Sequence, residues 1–379
     1  MVSETQSFRL TKGKTQVERG RTRTRHIPCL FLCLNLFLVL LCSSCSKDEP
    51  CSTCPPNNTP DTTSHDFIWT IDTLGDGNGS TLNDVAIIND TLAYAVGEIY
   101  LKDSTGQFES TPHNFVSWNG GKWTVRIVTV SFRGNLITPP LEGIYCSSPT
   151  QVWLVGSLPI YGDGSSWTMY DLRTAVDPNI SVSKAWGSTP TDMYFVGRAG
   201  SIAHYDRVSW QKLSSGTSLD IYDIWGDGNE VYAVAAKQFV NFDKKVLRIR
   251  GTQVDSVSAS GIDYSLQSLW FKSGQRYFVV GDGIFSKEQI QDTTTWKSLH
   301  TEVTTYHTYV VRGQALNDIF VAGSFGEMLH YNGSSWKSYR ATTAIALGAF
   351  HGLAFKNDLI IAVGQESPRG IVAVGRRRQ

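Results

Sequence analysis

One short phrase recurs along the chain and constrains the fold more than anything else in it. An aromatic or apolar pair is followed by Val-Gly or a close variant. The copies are Tyr94-Ala-Val-Gly97, Trp153-Leu-Val-Gly156, Tyr194-Phe-Val-Gly197, Tyr232-Ala-Val-Ala235, Phe278-Val-Val-Gly281, Phe320-Val-Ala-Gly323 and Ile361-Ala-Val-Gly364. They lie 59, 41, 38, 46, 42 and 41 residues apart. Two further phrases keep step. Upstream of each Val-Gly sits a strand-like segment such as Ala185-Trp-Gly187, Ile224-Trp-Gly226 or Leu269-Trp-Phe271. Downstream comes a segment ending in tryptophan, such as His204-Tyr-Asp-Arg-Val-Ser-Trp210 or His330-Tyr-Asn-Gly-Ser-Ser-Trp336. About forty residues is the period of four short strands and their turns. Such a unit cannot bury both of its faces alone and must pack against two neighbours.

Seven in-register copies predict an all-β chain, a β-propeller of seven four-stranded blades. Composition agrees: glycine is frequent at 34 residues, and Trp, Tyr and Phe number 11, 15 and 17. The Gly after Val calls for positive φ or close backbone approach. The tryptophans Trp123, Trp167, Trp210, Trp296 and Trp336 are expected to supply apolar surface between blades, with Trp69 in the same role. The seventh blade runs to Ile371-Val-Ala-Val-Gly375 and then stops, one strand short. Phe67–Leu74 has the character of the missing strand, so residues 67–74 are expected to complete the last blade and close the ring, hiding two open edges.

The N-terminal part is different. Seven Lys/Arg precede residue 45, and Ile27–Cys42 is apolar except for Pro28 and Asn35. A basic flank before a short apolar core is a secretory signal, too short for a spanning helix of about 20 residues. The organisation expected is a signal peptide over 1–44, a lipidated Cys45 with a Pro-rich tether over 45–65, and the propeller over 66–379. Cys51 and Cys54 lie in that tether without a second ligand pair, which points to a small disulfide and not to a metal site. The exported portion carries a net charge of about −5, which gives no electrostatic reason to bind a phosphate backbone, and no nucleic-acid partner is expected.

Cys42-Ser43-Ser44-Cys45 resembles a bacterial lipobox, with Cys42 in place of the usual leucine, and Ser46-Lys-Asp-Glu49 resembles the surface-export tag of Bacteroidota lipoproteins. The repeat resembles bacterial propellers built on Ile-Trp-Gly, Val-Tyr-x-Val-Gly and His-Tyr-Asp-Gly-x-Ser-Trp phrases, distantly similar to Asp-box (BNR) and kelch propellers. The doubled glycine of kelch and the Trp-Asp of WD40 repeats are absent. Together these resemblances imply an exported, outer-membrane protein held by acyl chains on Cys45, at the cell surface or else on the periplasmic face; a monomer is expected, and two or more chains anchor stably.

Link lengths locate a binding face. The longer links are Glu98–Asn114, Arg126–Pro140, Tyr170–Ser181 and Gly251–Ser265. They follow the second strand or join blades, and in a four-stranded blade both link types lie on one face. Ligand-binding candidates there are Arg198, Arg312, Tyr100, Phe108 and His113, because binding residues concentrate on loops over a rigid scaffold. His204 and His330 occupy matching positions and read as repeat packing. Asp84, Glu142 and Asp223 lie on or near inner strands, but nothing in the sequence pairs two of them as glycoside cleavage would require. Asp76-Gly-Asn-Gly-Ser80 lacks the final Glu of a calcium loop, and no Walker loop, zinc spacing or nucleophile elbow appears. No cofactor, metal or catalytic residue is expected. The reading is a non-enzymatic binding or scaffold module for a glycan, peptide or partner protein, with a propeller glycoside hydrolase or polysaccharide lyase as the alternative.

Overall fold

The computed structural model describes residues 61–238, 243–291, 293–299 and 302–378. The signal peptide, Cys45, Cys51, Cys54 and the start of the tether lie outside the described residues. Seven four-stranded antiparallel sheets form the blades of a β-propeller. The inner strands of blades 1 to 7 are Gly77–Asn89, Gly143–Ser148, Val182–Thr189, Asp220–Asp227, Leu266–Lys272, Thr308–Ala315 and Ala349–Lys356. Each inner strand contacts the next, and the seventh contacts the first, so they surround a central channel.

Seven apolar clusters fill the spaces around and between blades. One joins Leu82, Val85 and Ile99 of blade 1 to Ile361, Val363 and Val372 of blade 7; another joins Phe320 and Met328 of blade 6 to Phe350 and Ile360 of blade 7. Strand alternation accounts for this: each blade shows one apolar set to each neighbour. The largest fully buried side chains are Trp153 and Trp270, on a second and an inner strand. The recurrent outer tryptophans are less deeply placed. Trp123 and Trp296 are buried, but Trp69, Trp167, Trp210 and Trp336 are half-buried, because the outermost strands lie at the rim.

Phe67–Leu74 is the outermost strand of blade 7, whose other three strands come from the C-terminal end. It pairs antiparallel with Gly370–Arg377, from Phe67 opposite Arg377 to Leu74 opposite Gly370. Phe67 also reaches blade 6, with its ring centroid 5.2 Å from that of Phe320 and 5.4 Å from that of His330, both edge-on.

One link was misjudged from sequence. Gly251–Ser265 is not a single inter-blade loop, since Gln253–Val257 within it is the outer strand of blade 4. No tryptophan marks that strand, which is why it reads as loop.

Candidate functional site

The repeated glycine has a single structural reason. A Cβ on Gly97 would lie 2.2 Å from the carbonyl oxygen of Thr81, and one on Gly364 would lie 1.9 Å from that of Ala349. Gly156, Gly197, Gly281 and Gly323 face carbonyl oxygens of Pro140, Ser181, Ser265 and His307 in the same way. None of these six glycines has positive φ. Close backbone approach, not a left-handed conformation, is what the repeat demands. Blade 4 has Ala235 at this place, opposite Ile221.

That approach coincides with a second device. The residue opposite the glycine is followed by one extra residue in the inner strand, so the register slips between Leu82 and Asp84, Val182 and Lys184, Ile221 and Asp223, Leu266 and Ser268, Thr308 and Val310, and Phe350 and Gly352. These are β-bulges, which re-aim side chains and gather next to functional sites. In blade 2, Glu142 holds the matching place: its N–H donates to the Val155 carbonyl at 2.7 Å, just before Gly143 pairs with Val155. The six bulge residues Asn83, Ser183, Tyr222, Gln267, Tyr309 and His351, with Glu142 in the matching place of blade 2, make one residue per blade.

All seven line one cavity of about 360 Å³, joined by Lys184. Inner strands start from the inter-blade links, so this cavity is the channel mouth on the face that carries the long links. Gln267 is only 7% exposed, and its amide nitrogen has no hydrogen-bond partner. The Tyr309 and His351 rings meet edge-on with centroids 5.1 Å apart. Burial, and then the nearby Lys184 ammonium, hold the His351 imidazole below its ordinary pKa and therefore neutral at pH 7.

Deeper in the channel, charges occur in pairs. Lys184 Nζ lies 2.8 Å from Asp84 Oδ2. Arg312 grips Asp223 with two nitrogens, at 2.8 and 3.0 Å. The Ser268 hydroxyl and Leu269 N–H also donate to Asp223, at 2.5 and 3.3 Å. Burial alone would lower the Arg312 pKa, but the adjacent Asp223 carboxylate outweighs it and holds the guanidinium above its ordinary value. Below this layer a second cavity of about 260 Å³ is walled by Tyr145, Trp186, Trp225 and Phe355. Cys146 lines it, and burial followed by the Asp84 charge pushes its thiol pKa up.

These geometries belong to a widespread fold. No family model matches the chain, and no curated protein matches it. Solved structures do. YCF48 bound to D1 peptide has 15% identity and a TM-score of 0.61, the match covering 85% of this chain and 100% of that one. A selenomethionine-substituted virginiamycin B lyase from Staphylococcus aureus has 11% identity and a TM-score of 0.61, covering 82% and 100%. The WD40 β-propeller domain of Doa1 has 14% identity and a TM-score of 0.57, covering 82% and 98%. At these identities the likeness is one of fold.

The five candidates chosen from sequence do not converge. Arg312 is on an inner strand inside the channel, paired with Asp223 and 5.1 Å over the Trp225 ring. Arg198 stands at the mouth, 3.3 Å from Glu142 Oε1. Tyr100 ends the second strand of blade 1, Phe108 sits 5.3 Å under Lys102, and His113 bonds Glu109 at 3.1 Å. Those last three form a separate patch on blade 1, and none lines the mouth. His204 and His330 each bond the aspartate that opens their blade's second strand, Asp192 and Asp318, and stack on Tyr194 and Phe320. Sequence reasoning missed Asn83, Ser183, Tyr222, Gln267, Tyr309 and His351. A signal was present: each stands two residues before the first residue of its Ile-Trp-Gly-type phrase, as in Tyr222-Asp-Ile224 and Gln267-Ser-Leu269.

Proposed function

We propose that this chain is an exported lipoprotein, held at the outer membrane by acyl chains on Cys45 and displayed at the cell surface. In this reading the propeller acts as a single-copy, non-catalytic binding or scaffold module for a glycan, peptide or partner protein. The observation that carries the binding role is the ring of six bulge residues and Glu142, which turns one side chain per blade into a shared mouth. A cleft with a few placed polar groups on a rigid frame is the usual form of a binding site. YCF48 bound to D1 peptide and the WD40 domain of Doa1 lend support as propellers of like fold. The lipoprotein reading rests on Cys42-Ser-Ser-Cys45, and what supports display at the surface is the resemblance of Ser46-Lys-Asp-Glu49 to the surface-export tag of Bacteroidota lipoproteins.

The alternative is a glycoside hydrolase or polysaccharide lyase. Glycoside cleavage uses two carboxyl groups free to exchange protons or attack. Asp84 and Asp223 are instead each held by a cation, and Glu142 by Arg198. A binding array of glycans and peptides, run beside a hydrolase and lyase screen on the same protein, decides between the classes. Turnover of any glycan would reject the non-catalytic reading. For the anchor, Cys45→Ser should move the protein from the membrane to the soluble fraction, and persistence in the membrane would reject it.

A further inference from the structure

We propose that the long-loop mouth receives a neutral pyranose, the end residue of an uncharged glycan; this rests on the mouth being the binding site. The first argument is charge. Among the described residues that line the mouth and the channel, every ionised side chain is matched: Lys184 with Asp84, Arg312 with Asp223, and Glu142 with the neighbouring Arg198. His351 is neutral as well. A phosphate, sulfate or uronate would need a cation whose charge is not already balanced, and a basic peptide would need such a carboxylate. The described lining of the mouth offers neither.

The second argument is the kind of groups that remain. Tyr222, Tyr309 and His351 bring flat, partly apolar rings, and Asn83, Ser183 and Gln267 bring small neutral hydrogen-bonding groups. A pyranose has the same division, with an apolar C–H face to lie on a ring and a rim of hydroxyls to exchange hydrogen bonds. The third argument is Gln267 itself. A buried donor without a partner is costly, and this one lies on the wall of the cavity. A sugar hydroxyl is an acceptor of the right type for it. Size agrees too: about 360 Å³ is near the lower end of the range of small-ligand pockets, roughly 300–1,000 Å³, and suits a chain end better than a long stretch of polymer.

The test is calorimetry on the full chain in detergent. The probes are neutral hexasaccharides of glucose, mannose, galactose and xylose, with polygalacturonate, a sulfated glycan and a peptide library as the other arms. A neutral glycan should bind. Gln267→Leu removes a donor that has no partner inside the protein, so it should weaken binding about tenfold without lowering the melting temperature. Tyr309→Ala should weaken binding by a similar factor, and Tyr309→Leu serves if the alanine variant does not fold. Binding only of acidic glycans or peptides, lost in these variants, overturns the pyranose assignment but leaves the mouth as the binding site. Neutral-glycan binding insensitive to both variants overturns it as well, since the sugar then sits elsewhere. If no probe shows binding that depends on Gln267 or Tyr309, both readings fall.

Discussion

Phe67→Ala tests how far the first strand of the propeller holds the last blade in place. Phe67 is 8% exposed and belongs to the cluster shared by blades 6 and 7. Its ring meets Phe320, His330 and Tyr339 at centroid distances of 5.2, 5.4 and 6.1 Å, and the Arg377 guanidinium lies 4.6 Å above it. Truncating a buried phenylalanine costs about 3–5 kcal/mol through lost transfer energy and the cavity left behind. Unfolding entropy is about 2.1 cal/mol/K per residue, so a unit of about 320 residues melts roughly 1.5 °C lower for each kcal/mol lost. The expected fall in melting temperature is therefore about 4–8 °C. Scanning calorimetry of the full chain in detergent measures it. Ile68→Ala on the same strand is the control: Ile68 is 53% exposed, and its loss should stay within about 0.5 kcal/mol. A Phe67→Ala protein that melts within 1 °C of the parent, or an equal fall for Ile68→Ala, would refute the idea that this strand is clamped by its buried face.

Three other outcomes are expected. Gly323→Ala should destabilise by about 1–3 kcal/mol, because the new methyl would stand 2.2 Å from the His307 carbonyl oxygen; a neutral result in denaturant titration would contradict close approach as the reason for the repeat. Arg312→Ala should cost about 3–5 kcal/mol by leaving Asp223 buried and uncompensated, whereas Arg312→Met with Asp223→Leu should recover most of it, and a double variant no better than the single one would count against the pairing. The pH dependence has a definite sign. His65 is lowered to about 4, by burial first and then by His330, Lys337 and Arg377, while an unfolded histidine titrates near 6.5. Between these values the unfolded chain binds a proton that the folded one refuses, so the contribution is complete above about pH 6.5 and is lost as the pH falls toward 4. Melting curves of His65→Gln should show a shallower slope across that window, and parallel slopes would exclude the effect.

The blades were legible because each leaves three phrases in register, and a repeat seven units long cannot be mistaken for local composition. The outer strand of blade 4 was not, since Gln253–Val257 carries no tryptophan. The glycine was legible as special, but its reason was open until the carbonyl it faces could be named. The mouth was hidden for a different cause. A bulge is a relation between two strands, and a single strand read alone shows Tyr222 or Gln267 as one more residue in an alternating run. The charged pairs were hidden by distance along the chain: Asp223 and Arg312 stand 89 residues apart. Nothing in the sequence therefore gave the acids partners, and Arg312 read as a ligand-binding candidate.

The extra residue in six of the inner strands bears on how such a protein can change. It stands outside the cross-strand register, so exchanging its side chain leaves the ladder pairing of its own sheet in place. Six such positions and Glu142, one from each blade, form a set of letters on a common frame, while the small residue opposite (Gly, or Ala235 in blade 4) and the apolar alternation around them hold the frame. Chains with the same backbone could then display very different recognition chemistries by rewriting those letters alone. Substituting them in combination is the shortest route to redirecting what this mouth accepts.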